Sequence, residues 1–139
     1  MKSLSAAACA FAITLSSLGC GNSSNSGGID SLAQVTAPVD GQEFTLHQGD
    51  SVQLAGSQST LHFLAVPEDS RCPSGVQCIW AGNARATLKL DATQFDLNTT
   101  VEPLEATVAG YHFQLVRLTP RPEGDTVSGK YSATLKVTR

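Results

Sequence analysis

The chain has 139 residues, with twelve acidic against nine basic side chains, a formal charge of −3 and 41% apolar residues. A mildly acidic chain with no basic patch excludes nucleic acid as the expected partner. The length suits one domain that buries its own core without metal or several disulfides.

At the N-terminus Lys2 starts a short basic segment, and residues 3 to 19 are uncharged and mostly small or apolar. That run falls short of the roughly 20 apolar residues a spanning helix needs and has the form of an export signal. It closes on Leu18-Gly19-Cys20, which resembles the lipobox of bacterial lipoproteins, with Ser17 standing where an aliphatic residue is commoner. The resemblance implies cleavage before Cys20 and a diacylglyceryl group on its sulfur. It also implies stable anchoring by acyl chains such as palmitate, since two membrane signals already suffice. Gly21, rather than Asp, after the lipidated cysteine implies the outer membrane, facing the periplasm. Ser17 with Gly19 also fits an ordinary small-x-small cleavage site, whose product is a soluble periplasmic or secreted protein. Cysteine arithmetic favours lipidation: Cys9 leaves with the signal and Cys72 and Cys78 remain as one pair, whereas a free Cys20 leaves an odd thiol in an oxidising compartment.

Residues 20 to 32, containing GNSSNSGGIDS, are too small and polar to order themselves. They are read as a flexible tether, spanning roughly 15–20 Å root-mean-square for about ten such residues. Without the signal, eight basic residues face twelve acidic ones, a formal −4. Residues 33 to 139 form the domain.

From there the pattern is short polar–apolar alternation broken by Gly, Pro, Asp and Asn, the signature of strands. Residues 43 to 54 place Phe44 and Leu46 on one face. Gly49-Asp50 supplies a turn, read as a hairpin, and Val52 and Leu54 follow. Residues 59 to 66 put Leu61, Phe63 and Ala65 on one face and Leu64 and Val66 on the other, which predicts a strand covered on both sides. In 84 to 91, Ala84, Ala86, Leu88 and Leu90 face in. Residues 111 to 118 and 130 to 138 complete the clear strands, the last with Tyr131, Ala133, Leu135 and Val137 inward. Weaker strands are expected at 33 to 37, 94 to 99 and 103 to 108. Pro103, Pro120 and Pro122 guard strand ends. Roughly seven to nine short strands and no helical periodicity predict an all-β fold, a single small antiparallel β-sandwich, Ig-like in general architecture, with one loop disulfide.

The stretch PEDSRCPSGVQCIWAGNA, residues 67 to 84, is the most distinctive. Cys72 and Cys78 flank Pro73-Ser74-Gly75, where Pro presets φ and Gly permits a positive one. Such a turn brings the two Cα atoms within disulfide range. A redox pair ordinarily has two intervening residues at a helix start, and a thiolate metal site needs two further ligands that are not near in sequence. Trp80 lies two residues after Cys78, so alternation puts both on one face with Val76. The ring either packs on the disulfide in the core or stands out as an aromatic platform for a ligand. Gly82 marks a bulge or a place where another group comes close. Asp69 and Arg71 make a local contact or turn, or form with Trp80 a strip that recognises a partner, as loops often do.

Asp69-Ser70-Arg71-Cys72-Pro73, then Val76, Cys78, Trp80, Ala81 and Gly82, resembles a motif of small bacterial exported proteins that are uncharacterised. With the Gly49 hairpin and the Tyr131 strand the likeness spans most of residues 42 to 138. It implies a small β domain with a loop disulfide and carries no activity.

His47, His62 and His112 each lie opposite the apolar set of their strand, and no pair has ligand spacing. The single Met is the first residue, so a methionine copper(I) site is excluded. None of the serines lies in a nucleophile elbow, no glycine-rich phosphate loop is present, and no cofactor is expected. Asp50 and Asp125 sit beside glycines at turns, and Asn22 and Asn98 match glycosylation sequons without reason to be modified in a bacterial lipoprotein. The reading that follows is a lipid-anchored, non-enzymatic binding or scaffolding domain of the cell envelope. It is held to the membrane by its N-terminal lipid and binds an envelope protein or ligand not specified by the sequence. The alternative is a small disulfide-stapled inhibitor of an envelope or secreted hydrolase, in which a rigid loop lowers the entropic cost of binding.

Overall fold

The alternating apolar residues of the domain bury one face of each of two sheets against the other. The computed structural model describes residues 36 to 123 and 129 to 139. The signal segment, Cys20, the tether, residues 33 to 35, Asn22 and Asp125 lie outside them. The strands are β1 (Thr36–Ala37), β2 (Asp40–His47), β3 (Ser51–Leu54), β4 (Thr60–Asp69), β5 (Ala84–Leu90), β6 (Thr93–Asn98), β7 (Glu105–Val108), β8 (Tyr111–Thr119) and β9 (Ser132–Thr138). One sheet has the order β1-β3-β4-β5-β6 and the other β2-β9-β8-β7. The fold is therefore an all-β, two-sheet sandwich. Its pairings are antiparallel except β1 with β3, which run parallel.

The core takes Leu54, Leu61, Phe63, Ala84, Ala86, Leu88 and Leu97 from the first sheet and Phe113, Ala133, Leu135 and Val137 from the second, all fully buried. Phe95 stacks obliquely on Phe113 with ring centroids 5.0 Å apart, a favourable tilted geometry. The inward sets expected for residues 84 to 91 and for Ala133, Leu135 and Val137 are those observed, while Tyr131 and Phe44 pack at the margin.

Two expectations are corrected. The Gly49 turn does form, with the Asp50 amide donating to the His47 carbonyl at 2.9 Å. It is not a hairpin, because β2 pairs with β9 and β3 with β1 and β4, so the turn carries the chain between sheets. Nor is β4 covered on both sides. Leu64, on the opposite face from buried Leu61 and Phe63, is 39% exposed, whereas Val66, between register shifts at Phe63/Ala65 and Ala65/Glu68, packs against the core. Each such bulge inserts one unmatched residue and re-aims the side chains beyond it.

The two shifts cancel, so Asp69 keeps the face of Leu61 and Phe63, and this places the site. Asp69 lies opposite Ala84, which is fully buried, and directly paired residues share a face. Asp69 therefore points inward at the end of β4, where the chain leaves the sheet for residues 70 to 83.

Candidate functional site: a stapled loop and the cleft beside it

Beyond β4 and β5 the two chain segments keep close company without forming strands. The Ser70 amide donates to the Asn83 carbonyl at 2.7 Å and the Cys72 amide to the Ala81 carbonyl at 3.0 Å. The Cys72–Cys78 disulfide then closes the tip, with its Cα atoms 5.9 Å apart. Inside it, the Val76 amide bonds back to the Pro73 carbonyl and Gly75 has φ +77°. That is the conformation a glycine favours at the third position of a type II turn.

Gly82 is where the segments come closest. Its φ is +67°, and a Cβ there would lie 1.8 Å from the Ser70 carbonyl oxygen and 2.8 Å from the Cα of Arg71. Of the two readings of Gly82, close approach is the one observed, and the neighbour is backbone that no rotamer change can move.

Below the crossing, Asp69 and Arg71 form a buried pair, their side chains 5% and 6% exposed. The Arg71 guanidinium donates to both Asp69 carboxylate oxygens, at 2.8 and 2.6 Å, to the Pro120 carbonyl at 2.6 Å and to the Leu118 carbonyl. The Arg71 amide also donates to Asp69, at 3.1 Å. β7 pairs with β8 only as far as Gln114, so the last part of β8 has β9 alone beside it, and the guanidinium docks at that end. The Tyr131 hydroxyl completes the group by donating to Asp69 at 3.0 Å. Burial alone raises the pKa of the Asp69 carboxyl. The hydrogen bonds from the Arg71 side chain and amide and from Tyr131, with the Arg71 charge, outweigh it and hold the carboxyl below its ordinary 3.8. Burial, then the hydrogen bond to Asp69 and its negative charge, push Tyr131 from 10.0 up to about 12.

Those directions set a pH window. A tyrosine that keeps its proton more tightly in the folded state contributes stability fully below pH 10 and loses it as pH rises toward about 12. Tyr131→Phe keeps the ring but not the hydroxyl. It is expected to lower stability at neutral pH by about 1–3 kcal/mol, as for a hydrogen bond to a charged group. The difference from the parent chain should then shrink between pH 10 and 12 in urea titrations. A constant difference across that range would refute the hydroxyl's role. At the acid end Asp69 works the other way, with its contribution lost only as pH falls below the ordinary carboxyl value.

A second hub was not legible in the sequence. The Asn83 side-chain carbonyl accepts from the amides of Thr99 and Thr100, at 3.1 and 3.2 Å, while its amide donates to Asn98 at 2.9 Å. The Thr100 hydroxyl also bonds the Gly82 carbonyl. One side chain thus ties the base of the loop to the end of β6. A Gly-Asn pair signals a turn, but nothing local announces partners fifteen to seventeen residues downstream.

The outer part of the loop faces solvent. Val76 is 57% exposed, Ile79 93% and Trp80 82%. The expected alternation through 76, 78 and 80 fails because these residues are not a strand, and the Trp80 ring stands outside rather than on the disulfide. Asp69 and Arg71, placed with Trp80 in the candidate recognition strip, turn inward and support the loop from below.

A cleft of about 380 Å³ runs between Ala81, the Thr99–Thr100 turn and the end of β8, with Arg117 and Arg121 on its walls. Both arginines are exposed, and neither pairs with a carboxylate among the described residues. The histidines are spread over the two sheets: His47 bonds Ser132 at 2.7 Å, His112 bonds Glu105 at 3.1 Å, and His62 lies on β4. Among the described residues no three His, Cys, Asp or Glu side chains gather as a metal site. Compared with protein-family models, with curated proteins and with solved structures, the chain matches none.

Proposed function

We propose that the protein is a lipid-anchored, non-enzymatic binding domain of the cell envelope, and that residues 73 to 81 are its binding surface. The observation that carries this is the exposure of Ile79 and Trp80 on a loop held by a disulfide, a buried ion pair and a backbone crossing. Large apolar side chains cost free energy in water. A loop built so firmly around them has its conformational entropy removed before any partner arrives, which favours binding. Tryptophan is also the residue type most enriched where binding energy concentrates. The anchor rests on the likeness of Leu18-Gly19-Cys20 to a lipobox.

The test is a photo-activatable amino acid at position 80 in the full chain, in living cells of the host. A discrete adduct is expected at position 80. It should be absent when the same group stands at exposed Glu43 on β2, and lost when Cys72 and Cys78 are both replaced by serine. Equal labelling at positions 80 and 43 would sink the reading. The same convex, stapled loop is the form of an inhibitor wedge. An adduct that proves to be a hydrolase, with its activity restored in the double serine variant, would select that alternative.

A further inference from the structure

The apolar tip of the loop and the arginine cleft share a border. Ala81, the residue after Trp80, lines the cleft with Thr100, Arg117 and Arg121. Arg71 reaches it too, but its guanidinium is committed to Asp69 and to two carbonyls. Arg117 and Arg121 therefore supply the cationic groups open to a ligand, in a chain whose net charge is negative. From Cys72 to Ala84 the chain carries no charged side chain. The face is thus an uncharged, aromatic-tipped projection with guanidinium groups immediately beside it.

Each half of that arrangement has a known physical preference. An indole ring settles at the headgroup level of a bilayer, with its apolar body inward and its N–H in the wet layer. A guanidinium fork matches phosphate oxygens. The geometry points to this face as a membrane-contact surface. Ile79 and Trp80 enter the headgroup boundary of an anionic leaflet, while Arg117 and Arg121 take lipid phosphates in and beside the cleft. The inference rests on the reading of the loop as the binding surface and names its occupant. Lipid is favoured over a protein partner because the tip has no charged group of its own to set a register. Among the described residues that line the cleft, moreover, every charged one is an arginine, the type suited to phosphate. The surface contact is also compatible with an N-terminal lipid, which keeps the domain at high effective concentration near the bilayer.

Trp80 is the only tryptophan in the chain, so its fluorescence reports on the tip directly. The full chain, purified from its host, would be combined with vesicles of phosphatidylcholine alone or with phosphatidylglycerol, each with and without brominated acyl chains. An N-terminal lipid would insert into both compositions, so the readout is Trp80 emission rather than co-sedimentation. A blue shift and bromine quenching are expected with the anionic vesicles and not with the neutral ones. Replacing Arg117 and Arg121 together by alanine should weaken the anionic dependence roughly thirtyfold, at about fivefold for each basic residue near the surface. Both residues are exposed, so an unchanged urea midpoint will show that the fold is intact. Water-like, unquenched emission on both compositions would overturn the inference, as would a double variant that keeps the full shift. If that happens while position 80 still cross-links to an envelope protein, the loop remains a binding surface and only its occupant was misassigned. If the cross-link fails as well, both readings fall.

Discussion

Gly82→Ala is expected to be the most damaging single-methyl change in the described domain. A left-handed φ costs a non-glycine residue roughly 1–2 kcal/mol. The added Cβ would also sit 1.8 Å from the Ser70 carbonyl oxygen, so the crossing must open. Opening it breaks the Ser70–Asn83 and Cys72–Ala81 hydrogen bonds and disturbs Asp69 and Arg71 beneath. A loss of about 3 kcal/mol or more is expected from the two effects together, a large share of the roughly 5–15 kcal/mol that holds a small domain. Urea unfolding would measure it, with hydrogen exchange at the Ser70 and Cys72 amides reporting the opening. The control is Gly75→Ala. Gly75 also has a positive φ, +77°, but nothing lies within 4 Å of the added Cβ, so that variant should lose only about 1–2 kcal/mol, the conformational term. Equal losses at the two glycines would mean that the close approach does not matter.

Arg71→Met is expected to cost about 3–5 kcal/mol, the usual result of removing one partner of a buried ion pair. The Asp69 carboxylate would stay buried with only the Tyr131 hydroxyl and a backbone amide, and the Leu118 and Pro120 carbonyls would lose their donor. The sign of the pH effect is distinctive. In the parent chain the Arg71 bonds outweigh burial and lower the Asp69 pKa; without the guanidinium, burial dominates and raises it. The difference in stability between parent and variant should therefore be largest near neutral pH and shrink as acid neutralises Asp69. Adding Asp69→Leu to Arg71→Met should recover much of the loss, since an apolar pair of similar volume replaces a buried ionic one at little cost. Lysine at 71 should not rescue, because one ammonium cannot reproduce a fork that spans a carboxylate and two carbonyls. A small, pH-independent loss for Arg71→Met would refute the account.

Both variants act on the base of the loop, and through it on the tip. The energetics of residues 69 to 83 are those of a fixed support: a crossing that admits only glycine, an ion pair sealed under it, and an amide hub at Asn83. Ile79 and Trp80 take no part in that support. This separation is what makes Trp80 a useful reporter: its ring is 82% exposed, so its removal should change binding with little effect on the unfolding midpoint.

The class of fold and most of the core were readable from alternation alone. Ala84, Ala86, Leu88 and Leu90, and likewise Ala133, Leu135 and Val137, are local patterns of period two, and a strand needs no distant information to show which face is apolar. The disulfide was also local, since a Pro-Ser-Gly turn between two cysteines brings them together by itself. Tertiary structure decided whatever depended on register or on a distant partner. The first bulge in β4 turned Val66 toward the core and away from the face of Leu64, and a bulge leaves little trace in the alternation that precedes it. The Gly49 turn looked like a hairpin, but the partners of β2 and β3 lie far along the chain. Arg71 found its carbonyl acceptors at the end of β8 and just past it, and Asn83 its partners at the end of β6 and beyond, across sequence separations that no spacing rule encodes. Trp80 came out of the core for the same reason: the strand ends at Asp69, and the chain beyond it is held by long-range bonds that leave the alternation without a sheet to obey.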